Sequence, residues 1–191
     1  MTKQLIRIDN LRIWNSLITT EIIQGELAAV IGPNKSGKTT LAGILRGEIR
    51  PAPGTVSYSI DPRRIAYSAH SADNNFFHYS DFYYQQRYNA FDEASVDTVE
   101  QYLRYQADNA YMNELYKAVL PQALLATNII ELSSGETRKV LLLKSLFQEA
   151  DIHILDNPLS GLDETSILNF SDLFRKITHQ CGKTVILLLN D

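Results

Sequence analysis

Residues 32–39 have the residue types and the spacing of an anion-binding loop. They read Gly-Pro-Asn-Lys-Ser-Gly-Lys-Thr and fit the pattern G-x-x-x-x-G-K-[ST] at each fixed position. The glycines let the backbone curl so that successive N–H groups face one anion. Lys38 can reach the terminal phosphates of a nucleotide, and the Thr39 hydroxyl can ligate Mg²⁺. The candidate nucleotide contacts are therefore Asn34, Lys35, Ser36, Gly37, Lys38, Thr39 and Thr40.

The elements around this loop are the ones that an anion site needs. The apolar run Leu27–Ile31 predicts a buried strand before the loop, and residues 40–45 predict the start of a helix after it. Two further apolar runs, Ile152–Leu155 and Val185–Leu189, also predict strands buried on both faces of a parallel sheet. Helical spacing over Thr137–Phe147 and Ile167–Ile177, the latter followed by Gly182, completes an alternating α/β pattern.

Two other regions depart from that pattern. Four early runs predict shorter strands that we expect to form a small antiparallel sheet: Leu5–Ile13, Leu17–Ile23, Thr55–Ile60 and Arg64–Tyr67. Residues 71–131 predict an inserted helical subdomain with helices over Val96–Gln106 and Ala110–Leu120. Its first part is crowded with aromatic residues between Phe76 and Phe91. These rings either form the core of the insertion, which is the simpler interpretation, or provide a docking surface for another protein.

Composition excludes several classes of protein. The chain has 191 residues, enough for one domain with a sizeable core. Its net charge of −4 argues against a nucleic-acid surface, and Cys181 alone supports neither a disulfide framework nor a zinc cluster. Neither a signal peptide nor a run of roughly 20 apolar residues is evident. We therefore expect a cytoplasmic protein with no direct membrane insertion, peripheral to the inner membrane only through a partner.

Three later motifs narrow the chemistry. The strand Ile152–Leu155 leads into Asp156, a carboxylate placed to hold the Mg²⁺ shell. The segment Leu132–Glu136 reads Leu-Ser-Ser-Gly-Glu and resembles the L-S-G-G-Q signature of the ATP-binding cassette (ABC) family. Ser160–Asp163, which reads Ser-Gly-Leu-Asp, resembles the D-loop of that family. With the phosphate loop, these motifs occur in the family's order over nearly the whole chain.

The resemblance implies that two such domains pair head to tail, with each ATP held between the phosphate loop of one and the signature loop of the other. Ser133, Ser134 and Gly135, with Asp163 of the D-loop, would then contact ATP on the partner. Ser133, Ser134 and Gly135 can also form a simple helix cap, with Glu136 in the first turn, and the two roles are compatible.

Two further positions have alternative interpretations. Trp14 takes the place of the aromatic that stacks on adenine in the family, or else it is a core tryptophan. Lys35 stands where the family usually has glycine and either adds charge beside the phosphates or points into solvent.

Three positions depart from the family's catalytic pattern. Asn157 replaces the glutamate that activates water, and Asn190 takes the place of the switch histidine. His70 takes the place of the Q-loop glutamine, unless Gln85 or Gln86 serves in a longer loop. Since the groups that bind Mg-ATP are retained, we expect a site that binds the nucleotide and hydrolyses it slowly.

For the whole chain we expect a P-loop NTPase fold in which residues 1–191 form one nucleotide-binding domain, truncated at its C-terminus. The signature sequence most resembles soluble tandem ABC proteins associated with molybdate uptake or photorepair. Such a domain either powers a partner, such as a transporter subunit, or is an ATP-dependent interaction module with weak hydrolysis. A P-loop kinase is a third interpretation, but it has no use for Leu132–Glu136.

Overall fold

The computed structural model describes residues 3–69, 97–104 and 119–191. The strands are β1 (Gln4–Ile13), β2 (Ser16–Ile23), β3 (Leu27–Ile31), β4 (Thr55–Tyr58), β5 (Ile65–Ala69), β6 (Ile152–Asp156) and β7 (Thr184–Leu189). The α-helices are α1 (Lys38–Leu45), α2 (Val99–Arg104), α3 (Gln122–Leu125), α4 (Ser134–Phe147) and α5 (Glu164–Cys181). Short 3₁₀ helices span Pro62–Arg64 and Ile129–Glu131. No helix within the described ranges combines the length and apolar character needed to cross a membrane.

Three of the four early strands form the antiparallel sheet that the sequence predicts, in the order β2-β1-β4. The prediction was wrong for the fourth, since β5 joins the parallel sheet, where Ile65 pairs with Ile152 of β6. The 3₁₀ turn at Pro62–Arg64 carries the chain away from β4. Arg64 then binds Asp151 through two hydrogen bonds of 2.7 and 2.9 Å, directly before β6 begins. A long-range pairing therefore decides the sheet to which this strand belongs.

The parallel sheet has the order β3-β7-β6-β5 and lies between two cores. Ile152, Ile154, Ile186 and Leu188 pack toward helix α1 and the antiparallel sheet. Leu155, Val185 and Leu187 pack toward helices α4 and α5 on the other face. Burial on both faces explains why β6 and β7 are predominantly apolar.

Strand β3 differs from these two, and the prediction that it is buried on both faces was wrong. Leu27 is 37% exposed and Ile31 is 66% exposed. In the described part of the chain β3 pairs only with β7, so it forms an edge of the sheet.

Both long helices start earlier than their apolar spacing predicts. Helix α4 begins at Ser134 because Ser133 and Glu136 form a capping box. Helix α5 begins at Glu164 because the Asp163 side chain accepts a hydrogen bond from the Ser166 backbone N–H. Polar first turns carry no hydrophobic periodicity, so spacing alone does not detect them. The predicted stop at Gly182 is confirmed, with φ of 64°.

The described part of the predicted insertion is helical. Helix α2, helix α3 and the turn at Ile129–Glu131 share one core with α4. The aromatic cluster between residues 76 and 91 lies outside the described residues, as does the helix predicted over residues 110–120 except for its last two positions.

Candidate nucleotide-binding site

The candidate site lies where the parallel strands end. Strands β3, β7 and β6 finish side by side, and the loops that begin at Gly32, Asn157 and Asn190 leave from this edge. The backbone N–H of Gly32 donates to Leu189 at 3.2 Å, and that of Asn157 donates to Leu188 at 2.8 Å. The carboxyl edge of an open parallel sheet is a usual position for a ligand crevice.

Glycine is required at the start of helix α1. Gly37 has φ of 96°, and a Cβ atom there would lie 2.4 Å from Cγ2 of Ile13 and 2.8 Å from Cδ1 of Trp14. Lys35 also has a left-handed backbone, with φ of 65°, and its side chain is exposed. The backbone at position 35 therefore has a conformation that glycine adopts more easily than lysine, and this holds whatever the role of the Lys35 charge.

Lys38 is the buried cation of the loop, with 8% of its surface exposed. Its ammonium donates hydrogen bonds to the backbone oxygens of Gly32 at 2.6 Å and Pro33 at 2.8 Å. The loop is thus wrapped around a fixed positive charge. An entering phosphate would find that charge at the loop centre, beside the first turn of helix α1.

Thr39 and Asp156 meet across 117 positions of sequence. The Thr39 hydroxyl donates to Oδ2 of Asp156 at 3.0 Å. A hydroxyl and a carboxylate are hard oxygen donors that suit Mg²⁺. Within the described ranges, no group of three or more His, Cys, Asp or Glu residues could hold a metal. The hydroxyl and carboxylate of this pair fit Mg²⁺, which usually takes its other ligands from substrate phosphates and water.

Tyr67 completes this corner of the site, and the sequence analysis did not identify it. Its hydroxyl donates to the same oxygen, Oδ2 of Asp156, at 3.0 Å. Burial first, and then the negative charge of Asp156, raise the pKa of Tyr67 to about 12. The guanidinium of Arg46 lies 5.2 Å from the ring centroid. Side chains along a strand alternate between the two faces of the sheet. Tyr67 lies two residues before the end of β5, so it shares a face with the last residue of the strand, and this alternation could have identified it.

A cleft of about 720 Å³ joins these groups. The described residues that line it are Trp14, Asn34, Lys35, Gly37, Lys38, Thr39, Thr40, Ala69, Asp156, Asn157 and Asn190. The structure thus brings most of the candidate site together, including two of the three departures from the family pattern. The third, His70, lies outside the described residues, as do Gln85 and Gln86.

Trp14 lies in the turn between β1 and β2, where it is 74% exposed and flanks the cleft. The interpretation of Trp14 as a core tryptophan is therefore wrong. Its indole instead offers an open aromatic face next to Gly37.

The signature residues lie apart from this cleft. Ser133 caps helix α4, donates to Glu136 at 2.6 Å and accepts from its backbone N–H at 3.4 Å. Ser134 opens the helix and is exposed. A Cβ atom on Gly135 would meet no atom within 4 Å, so packing inside the chain does not require glycine there. The helix-cap interpretation is confirmed, and the loop still presents an open surface.

The segment Ser160–Asp163 is held by helix α4. Arg138 donates to the backbone oxygen of Ser160, and Lys139 lies 3.1 Å from Oδ2 of Asp163. Hydrogen bonds from Ser166 and then the Lys139 ammonium hold the pKa of the Asp163 carboxyl well below its usual range. The two motifs therefore form one connected surface at the start of helices α4 and α5.

The sequence profile of the ABC transporter family matches residues 16–160. The zinc import ATP-binding protein ZnuC of Rickettsia bellii is 28% identical over 201 residues, covering 100% of this chain and 78% of that protein. The ZnuC protein of Anaplasma marginale is 29% identical over 171 residues, covering 87% of this chain and only 62% of that protein.

A solved structure shows the same fold. CbiO1 of Clostridium perfringens, described as part of the ABC transporter complex cbiONQ, matches with a TM-score of 0.68 and 21% identity. The match covers 98% of this chain and 79% of that one.

Proposed function

We propose, from the premise that this chain belongs to the ABC transporter family, that it binds Mg-ATP in the cleft at the carboxyl edge of its parallel sheet. The observation that supports this most directly is the convergence of Lys38 with the Thr39–Asp156 pair in one cleft. Mg²⁺ bound there would supply positive charge opposite the developing charge on the phosphates.

Each residue of the cleft then has a defined task. Lys38 would exchange its bonds to the loop oxygens for bonds to the phosphates. Thr39 and Asp156 would hold the metal, and the exposed indole of Trp14 would stack on the adenine. These tasks are binding and orientation, and none of them activates water.

The groups around the expected position of the attacking water favour slow hydrolysis. Asn157 and Asn190 line the cleft, and neither amide accepts a proton at neutral pH. Loss of a positioned base typically lowers a rate by about 10²–10⁴-fold. We therefore favour a site that binds Mg-ATP and hydrolyses it slowly.

The separation of the signature loop from the chain's own cleft supports pairing with a second ABC domain. Ser133 to Gly135 offer a hydroxyl, helix N-terminal N–H groups and open space beside Gly135. Such a surface suits the γ-phosphate of ATP bound to another domain. That domain would be a second copy, or an unlike domain whose own ATP site retains a base and is completed by the signature loop of this chain.

The partner that ATP drives is a membrane transporter subunit, in keeping with the zinc import and cbiONQ names of the relatives. The domain would then work at the cytoplasmic face of the membrane through that subunit. The second candidate is an ATP-responsive interaction module, which Asn157 and Asn190 favour because they suit binding without turnover.

Lys38→Ala tests the binding proposal. We expect ATP affinity in the presence of Mg²⁺ to fall by about 10–100-fold, because a buried charge-assisted contact to the phosphates is lost. Isothermal titration calorimetry measures this change. Lys176→Ala, which removes an exposed lysine on helix α5, is the charge-matched control and should leave the affinity unchanged. Unchanged affinity in a folded Lys38→Ala protein would refute the assignment of the site.

A further inference from the structure

Tyr67 holds the one carboxylate of the metal pair from a neighbouring strand. Its hydroxyl and that of Thr39 both donate to Oδ2 of Asp156, each at 3.0 Å. Oδ1 receives neither of these bonds. The carboxylate is thus fixed from two sides through a single oxygen, one contact coming from helix α1 and the other from strand β5.

The sheet register explains why this contact needs a tyrosine. Tyr67 lies opposite Ile154, and Ala69 lies opposite Asp156. Tyr67 and Asp156 therefore face the same side of the sheet, two residues or about 6.6 Å apart along the strand direction. A phenol ring is long enough to cover that distance, whereas a serine or threonine hydroxyl would stay near its own backbone.

The ring is itself restrained. It packs against the core between the two sheets, and the Arg46 guanidinium lies 5.2 Å from its centroid. Arg46 is in turn paired with Glu48 at 2.7 Å. A hydroxyl on a restrained ring loses less freedom when it forms a hydrogen bond than one on a flexible side chain.

We propose that Tyr67 is a positioning residue for the metal site, which orients the Asp156 carboxylate so that it is ready for Mg²⁺ when Mg-ATP binds. The inference rests on the proposed function, since it assumes that Asp156 serves the metal. Outer-shell hydrogen bonds of this type orient metal ligands, and losing one typically weakens metal binding by about 10–100-fold.

The alternative is that the hydroxyl of Tyr67 is only satisfied by the nearest acceptor and matters for folding alone. A positioning role affects the part of ATP affinity that depends on the metal. A structural role would affect stability, or affinity with and without metal alike. The informative quantity is therefore the ratio of ATP affinities measured with Mg²⁺ and with a chelator, here called the metal gain.

Tyr67→Phe keeps the ring and removes the hydroxyl. We expect calorimetry to show a metal gain reduced by about 10-fold or more, while ATP affinity in the chelator stays within about twofold. Tyr58→Phe is the matched control, because Tyr58 is also a partly buried tyrosine whose hydroxyl donates, at 2.7 Å, to the backbone oxygen of Ile44. That control should retain the full metal gain. Tyr67→Met, which also lacks the hydroxyl, must reproduce the loss if Tyr67→Phe does not fold.

Asp156→Asn separates this inference from the proposed function. It should abolish most of the metal gain, and adding Tyr67→Phe to it should cause no further loss because Tyr67 acts through Asp156. If Asp156→Asn lowers the gain and Tyr67→Phe does not, the positioning role is overturned and the ATP site stands. If Asp156→Asn itself retains the gain, the proposed metal pair fails. Additive losses in the double variant would also overturn the positioning role.

Discussion

Asn157 fits the backbone conformation at its position, but its side chain cannot act as a base for hydrolysis. It follows strand β6 directly and has φ of 53°, in the left-handed region that asparagine tolerates better than most residues. Its amide faces a cleft in which a base would be needed. Replacing Asn157 with glutamate would therefore strain the backbone at this position and also place a base in the cleft.

Asn157→Glu should raise single-turnover hydrolysis by about 10²-fold when a partner domain supplies its signature loop, because a base is restored. It should also lower the free energy of unfolding by about 1 kcal/mol through backbone strain. Quench-flow with radiolabelled ATP and urea unfolding measure the two effects. Asn157→Gln has the same length and strain without the carboxylate, so an equal rate gain in that variant would contradict the base interpretation.

At the scale of elements, the start of helix α4 combines a cap with an exposed surface. Ser133 closes the capping box, while Ser134 is exposed and Gly135 has free space around its Cα atom. The cap serves the chain itself, and the open face serves the proposed partner. These two roles can be separated by the size of the residue placed at position 133.

Ser133→Arg should leave ATP affinity of the isolated chain unchanged and abolish ATP-dependent pairing, because its long side chain blocks approach to the loop. Analytical ultracentrifugation with and without ATP measures pairing. Glu136→Ala is the control, since it breaks the capping box, at about 1 kcal/mol of stability, without changing Ser133 or adding bulk. Lost ATP affinity, or pairing as weak in Glu136→Ala as in Ser133→Arg, would show that capping alone explains the motif.

At the scale of the whole molecule, a buried histidine limits stability in acid. His153 lies on β6 with no exposed surface, and its Nδ1 lies 3.1 Å from the backbone oxygen of Ser145. Its Nε2 lies 3.4 Å from the Lys183 ammonium. Burial and then the Lys183 charge lower the pKa of His153 to about 3. The ring is therefore neutral in the folded state at physiological pH, whereas the unfolded chain has a pKa near about 6.5.

His153→Gln should make the free energy of unfolding less dependent on pH in mild acid. Between pH 6.5 and 3 the unfolded state binds a proton at His153 that the folded state does not. The free energy of unfolding therefore falls by up to about 1.4 kcal/mol per pH unit as pH decreases. Urea unfolding from pH 6.5 to 5 measures this contribution. The carboxyl groups of Asp151 and Asp163, whose pKa values are lowered in the folded state, affect stability only in stronger acid.

The sequence predicted the elements whose signals are local, but it did not predict the contacts that depend on sheet register. Apolar runs marked β6 and β7, and the glycine pattern marked the loop before helix α1. The placement of β5 was wrong because the sheet that a strand joins is decided by distant partners such as Ile152. Tyr67 was missed for the same reason, since its partner Asp156 is 89 positions away.

Helix α4 is held by side-chain and backbone contacts at several points along its length. Arg138 and Lys139 fix its first half to residues 160–163, and the Lys144 ammonium lies 2.5 Å from the Tyr102 hydroxyl of helix α2. The backbone oxygen of Ser145 meets His153 in the sheet. We expect helix α4 to move as a rigid body. A displacement of helix α2 would therefore also displace the exposed residues at the start of helix α4. The position of residues 133–135 would then change without any local unfolding.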